Sequence, residues 1–212
     1  MFRRSSGKVV RVSLLLLVFL VALGCTHAIP MKGTMEAPPP TTAKVPLRLG
    51  VYYSPDFRNY RYVGSRGGDR WDFPLGSSST RLFDRVFADM FISAQSVGSR
   101  PPLSGSQGKL DAILEPQIES FDFSIPYLKT GAYTAEITYR FTLYALNGEP
   151  LASWTVRGFA SKHGKPSFDF ARWPGEAADL AMQDAASKFI TGFPDLPEVR
   201  RLINQARASS PK

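Results

Sequence analysis

The chain has 212 residues, 43% hydrophobic and 21% charged, with 26 Lys and Arg against 18 Asp and Glu. This is the composition of a globular protein with one proper core, not of a disordered or fibrous chain. Residues 1 to 24 hold four of the basic residues and no acid, so the remainder has 22 bases against 18 acids, a net charge of +4. Such a mild excess lacks the clustered positive charge of a nucleic-acid binder, and no nucleic-acid partner is expected.

Arg3, Arg4, Lys8 and Arg11 precede an apolar run from Val12 to Leu23 that only Ser13 interrupts. As a helix the run reaches roughly 18 Å, too short for a hydrocarbon core of about 30 Å. Charge order, run length and the small residue at its end are those of an export signal over residues 1 to 24. The run ends in Ala22-Leu23-Gly24-Cys25, at the only cysteine of the chain. This ending resembles the lipobox of bacterial lipoprotein signals, in which the cysteine thiol takes a diacylglycerol before cleavage. Ala22 stands where such signals usually carry Leu. The resemblance implies an acylated, palmitate-bearing Cys25. The alternative is an ordinary cleaved signal that leaves a free thiol, which is unwelcome in an oxidising compartment.

Residues 25 to 46 have no hydrophobic period and include Pro30, Pro38, Pro39, Pro40 and Pro46. They are expected to be a tether of extended polyproline character, able to hold a domain up to ~60 Å from the anchor. A single domain then runs over 47–207, and 208–212 form a disordered tail. Leu47, Leu49, Val51 and Tyr53 alternate with polar or small residues as a strand ending before Pro55. Leu82, Phe83, Val86, Phe87, Met90 and Phe91 recur at helical spacing after Ser77-Ser78-Ser79, which offer an N-cap. Asp111 to Ser124 is a strand whose apolar parity shifts between Ile118 and Phe121, so a bulge is expected at Glu119 or Ser120. Pro116 suits its edge or the bulge.

Tyr133 to Leu143 alternate without a break, and Asn147-Gly148 is the favoured two-residue type I′ turn. That turn pairs Phe141 with Trp154, Tyr139 with Val156 and Ile137 with Gly158, so apolar faces meet. A helix from about Pro174 carries Ala178, Met182, Ala185, Ala186 and Phe189 on one stripe, and its alanines permit close approach to a sheet. Asp195 and Glu198 resemble the cap and box of a short terminal helix. The order β-α-β-β-β-α predicts an α+β fold, with two helices on one face of a mostly antiparallel sheet.

Catalytic parts are scarce. His27 lies beside the anchor, and His163 falls in a polar turn after a strand. No Cys or His pair has metal-ligand spacing, so neither metal nor cofactor is expected. Gly64 to Arg70 is glycine-rich but lacks the ending of a phosphate loop. Glu115 and Glu119 share a strand face ~13 Å apart, too far for a usual carboxylate pair, and are read as a solvated edge. The unusual segment is 56–76. In it Phe57, Tyr60, Tyr62, Trp71 and Phe73 interleave with Arg58, Arg61, Arg66 and Arg70, and a small hairpin around Gly64–Gly68 is expected. Aromatic and arginine side chains dominate interface hot spots, so Phe57, Arg58, Tyr60, Arg61, Tyr62, Arg66, Arg70 and Trp71 are candidate partner-binding residues. The other reading is a flap covering the open end of the core.

Leu49-Gly50-Val51-Tyr52-Tyr53-Ser54-Pro55, the aromatic stripe after Gly76, Asn147-Gly148 and Ala181 to Ala186 resemble elements of uncharacterised Gram-negative envelope lipoproteins. More loosely, the element order is similar to the TolB N-terminal domain and LptE. The resemblance implies a non-catalytic binding or assembly component of the cell envelope, held at the periplasmic face of the outer membrane by its lipid. Its partner would be another envelope protein. Sorting of such lipoproteins generally retains those with Asp after the cysteine at the inner membrane, and Thr26 stands there. A carrier or sensor of an anionic lipopolysaccharide or peptidoglycan ligand is the second expectation, and an envelope hydrolase the third.

Overall fold

The computed structural model describes residues 26–33, 44–103, 110–126, 131–163 and 171–208. In chain order these form β1 (Thr26–Ala28), β2 (Val45–Val51), α1 (Pro55–Arg58), β3 (Tyr62–Arg66), β4 (Asp69–Phe73), α2 (Leu75–Met90), β5 (Phe91–Ser96), β6 (Ala112–Ser124), β7 (Ala132–Tyr144), β8 (Pro150–His163), α3 (Arg172–Gly192) and α4 (Pro197–Ala208). A 3₁₀ turn, Phe193–Asp195, joins the last two helices. The signal over 1–24, Cys25 and the stretch 34–43 lie outside the described residues, as does the expected tail over 208–212 apart from Ala208, which ends α4.

The fold is α+β, as the element order predicts, but its sheets are two. A five-stranded sheet runs β5-β2-β6-β7-β8 and a three-stranded sheet runs β1-β4-β3. The larger sheet is antiparallel across β6, β7 and β8, whereas β2 is parallel to both of its neighbours. Strand β5 is absent from the expected order. Its residues follow the helical stripe directly, and Phe91 satisfies either the helical or the strand phase. As an edge strand it is largely exposed after Phe91, so it shows no apolar alternation.

Strand β6 carries the expected bulge, with the register slipping between Ile118 and Ser120. The extra residue returns Phe121 and Phe123 to the core face already occupied by Leu114 and Pro116. Pro116 lies beyond the residues of β6 that pair with β2, where its missing N–H costs no ladder bond on that side.

The β7–β8 register is the expected one: Phe141 faces Trp154, Tyr139 faces Val156 and Ile137 faces Gly158. The turn differs. Ala145 donates to Glu149 and Gly148 to Ala145, which leaves Leu146, Asn147 and Gly148 as a three-residue loop. A type I′ turn requires positive φ at both central residues. Here Gly148 has φ +98°, and among the described residues none other than glycine has positive φ. The longer loop and a one-residue slip beside Tyr144 offset each other, so the strands keep their pairing.

Helices α2 and α3 pack on the same face of the large sheet. Phe83 and Phe189 both lie against Phe141, with ring centroids 5.4 and 4.6 Å away. Helix α2 begins four residues earlier than Ser79, at Leu75, so the serines do not cap it. Ser78 and Ser79 are buried instead, and the Ser79 hydroxyl meets that of Tyr139 at 2.7 Å. Helix α3 approaches β8 closely because Gly158 has no side chain. A Cβ there would run into the carbonyl oxygen of Ala181 and stand 2.8 Å from the Ala185 methyl. Asp195 lies in the 3₁₀ turn and pairs with Arg200, while Pro197 takes the first helical position of α4.

The expected tether is corrected by its own first residues. Thr26–Ala28 pair in parallel with Arg70–Asp72, and the Ile29 N–H donates to the Asp72 carbonyl at 3.0 Å. Ile29 is buried, and its side chain and the Pro30 carbonyl cover Gly175 of α3. The Asp179 carboxylate accepts from the N–H groups of Lys32 and Gly33, at 2.9 and 3.1 Å. One strand partner and the two bonds to Asp179, one of them buried, hold this segment to the domain.

Candidate interaction surface

The segment from Ser54 to Phe73 is held by local chemistry first. The Ser54 hydroxyl accepts from the Phe57 N–H at 3.1 Å and Pro55 opens α1, an N-cap arrangement that needs few residues. Phe57 is 2% exposed and stacks on Tyr53 at 5.4 Å. The Tyr53 hydroxyl donates to Asp84 at 2.9 Å, and burial, then the Asp84 charge, raises its pKa. Arg58 donates to the Tyr53 carbonyl and to Ser96, and its guanidinium lies 5.5 Å from the Tyr53 ring. The Tyr60 carbonyl accepts from Gly76, whose lack of a side chain lets α2 start against the 57–60 backbone. Burial raises the pKa of the half-buried Tyr60 phenol.

Strands β3 and β4 form the expected hairpin, tighter and longer than Tyr60–Tyr62 alone would suggest. Tyr62 faces Phe73 and Arg66 faces Asp69 across a turn at Gly67-Gly68, both of positive φ. Tyr62, Trp71 and Phe73 point inward onto Phe121 and Phe123 of β6. The centroids lie 5.1 Å apart for Tyr62 and Phe121, 5.7 Å for Trp71 and Phe123, and 4.8 Å for Phe73 and Phe123. Trp71 is 3% exposed, and its indole N–H donates to the Arg66 carbonyl at 3.0 Å. His27 of β1 lies against the same indole at 4.9 Å.

Structure thus divides the candidate residues. Phe57 and Trp71 are core residues with almost no surface to offer, and Tyr62 packs largely inward beside them. Tyr60 keeps part of its surface, and Arg58, Arg61, Arg66 and Arg70 are exposed. Arg61 forms a two-pronged pair with Asp72, at 3.0 and 2.6 Å, which raises its own pKa. Arg66 pairs with Asp122 at 2.9 Å and covers Phe123. Among the described residues the Arg70 side chain has no hydrogen-bonding or ionic partner.

A second polar cluster went unread in the sequence. Glu115 is fully buried rather than part of a solvated edge. Arg100 grips it with two bonds of 2.7 and 2.6 Å, and Tyr144 and Gln117 donate to it at 3.2 and 3.4 Å. The loop bearing Arg100 thereby closes over the sheet face opposite the helices, where Val97 and Leu110 lie against Gly50 beside Ile113. A carboxylate between Leu114 and Pro116 in an apolar strand was the available signal, but its partner is 15 positions away in an irregular loop. The two-pronged bond from Arg100 joins the loop to β6 through Glu115, so the cluster reads as a clasp. Glu119 pairs separately with Arg140. Among the described residues no group of three or more His, Cys, Asp or Glu could hold a metal ion, and none of the helices is long and apolar enough to cross a membrane. His163 ends β8, exposed.

No protein-family model matches the sequence, and no curated protein matches it. Among solved structures the chain is similar to a Xanthomonas campestris protein of the domain-of-unknown-function family DUF330, with TM-score 0.48 and 13% identity over 88% of this chain and 100% of that one. It is also similar to a candidate lipoprotein of Caulobacter crescentus, with TM-score 0.42 and 11% identity over 77% and 93% of the two chains. A minor lipoprotein of Acinetobacter baumannii gives 0.36 and 10% over 75% and 96%. Neither TolB nor LptE is among these three. Likeness at this level assigns neither a family nor an activity to the chain.

Proposed function

We propose that this protein is an outer-membrane lipoprotein, anchored through Cys25 with its domain in the periplasm, and that it works by binding envelope proteins rather than by catalysis. The observation that carries the reading is the basic start, short apolar run and Gly24-Cys25 ending, which places the sole cysteine at the acylation position. Thr26 in place of Asp supports sorting to the outer membrane. Non-catalytic action is supported by the way the charged groups are used: Arg100 with Glu115, Arg61 with Asp72 and Arg140 with Glu119 bind one another. The partner surface is the exposed part of the 56–76 segment away from the hairpin tip, with Arg58, Arg61 and the edge of Tyr60.

Labelled palmitate should enter the wild type and not Cys25→Ser, and cross-linking in cells from position 61 should capture one discrete envelope protein. Equal labelling of both forms would overturn the anchor. Capture that survives charge reversal at Arg58 and Arg61 would overturn the surface. The anionic-ligand reading is disfavoured because Asp72 and Asp122 already neutralise Arg61 and Arg66. Salt-sensitive binding of lipopolysaccharide by the purified domain, lost on replacing Arg58 and Arg61, would reverse that ranking.

A further inference from the structure

We infer that the Gly67-Gly68 end of the small sheet is a membrane-contacting surface, seated directly on phospholipid headgroups. The inference rests on lipidation of Cys25 and goes beyond it, because an anchor alone leaves the orientation and distance of a domain free. Thr26 is the first residue after Cys25 and is already the first residue of β1. Adjacent Cα atoms lie about 3.8 Å apart, so no spacer separates the lipidated residue from the fold. Thr26 pairs with Arg70, and Arg70 faces Ser65 across the hairpin, next to its tip.

The rest of the molecule fixes which end this is. Gly67 stands beside Ile125, just past the last residue of β6, and Arg66 reaches Asp122 near that same end. Ser124 faces Thr134, near the start of β7, and β7 then runs away from the anchor to Tyr144. At about 3.4 Å per residue, the loop at Asn147 lies roughly 35 Å further out. Arg70 is exposed at the near end, and unlike Arg66, which pairs with Asp122, its side chain has no anionic partner among the described residues. An anionic headgroup supplies one, since basic side chains close to such a surface are attracted to it. His27, packed against Trp71, and the pairing of Thr26–Ala28 with Arg70–Asp72 tie the strand that follows Cys25 to the hairpin.

The test uses the full lipidated protein in vesicles of phosphatidylethanolamine and phosphatidylglycerol, with a fluorophore on Ser65→Cys or on Asn147→Cys. A contact quencher carried on the lipid headgroup should quench position 65 severalfold more than position 147. Inserting a flexible spacer of about ten residues between Cys25 and Thr26 should reduce position 65 to the level of position 147. Arg70→Glu should lower quenching at position 65 in the same vesicles. Equal, weak quenching at both positions of vesicle-bound protein would overturn the inference, as would stronger quenching at 147 than at 65. Failure of the underlying anchor reads differently. The protein would not float with vesicles, and its unblocked Cys25 would itself take the fluorophore.

Discussion

The β7–β8 hairpin and the small sheet are both antiparallel pairs closed by a Gly-containing turn, yet they are stabilised by opposite means. In β7–β8 each strand alternates without interruption, Tyr139 and Phe141 are buried, and helices cover one face. Its register follows from its own sequence. The β3–β4 pair has five residues per strand and owes its inward face to Phe121 and Phe123, about 50 positions later, and its outer neighbour to Thr26–Ala28, about 40 positions earlier. A pair that short has no independent stability. It exists where distant segments complete it, and one of them, Thr26–Ala28, begins directly after Cys25.

If the small sheet is part of the core in the same sense as the hairpin, Trp71→Ala and Phe141→Ala should each cost roughly 3–5 kcal/mol, as aromatic truncations in cores do. Denaturant unfolding would measure this, and a cost below about 1 kcal/mol for Trp71 alone would make the sheet a surface accessory. Arg100→Met leaves the fully buried Glu115 without its cation and should cost about 2–3 kcal/mol, held below a fully buried pair because the guanidinium is half exposed. Adding Glu115→Gln should return much of that loss. Gly158→Ala should destabilise by about 1–3 kcal/mol through overpacking against α3, a penalty confined to the large sheet.

Smaller effects separate the two regions further. Burial of Asp179 raises its pKa above the ordinary value of 3.8, against the pull of its two backbone hydrogen bonds. The folded state therefore holds this proton more tightly than the unfolded state. Its contribution is fully present below the ordinary value and is lost as pH rises through the raised one. Asp179→Asn should remove that slope from the stability profile while leaving the Phe141 side of the molecule unaffected. Arg70→Ala, at an exposed site, should stay within about ±0.5 kcal/mol in the soluble domain. A larger loss would show that Arg70 serves the fold instead of a surface.

What could be read in the sequence follows the same division. Alternation at period two gave away β6 with its bulge, β7 and β8, because each buries one face against helices that need no particular partner. The aromatic stripe of α2 and the alanines of α3 were legible for the same reason. Strand β5 was not, since an exposed edge leaves no apolar pattern. Thr26–Gly33 read as a tether because their burial comes from backbone bonds to Asp72 and Asp179 and from the bare α-carbon of Gly175, none of which marks the segment itself. Glu115 looked solvated for want of a sign that Arg100 would reach it. In the candidate surface, the residue types in 56–76 fitted both a flap and an interface. The fold sorts them by phase, with the aromatics inward and the arginines outward.

Amide hydrogen exchange on the purified protein tests most directly whether the fold begins directly after Cys25. The N–H groups of Ile29, Lys32 and Gly33 should be protected to about the level of the small sheet, and Trp71→Ala should release them together with it. Exchange of all three at unprotected rates in the wild type, with β3 and β4 still protected, would contradict the account and restore a free tether between Cys25 and the domain.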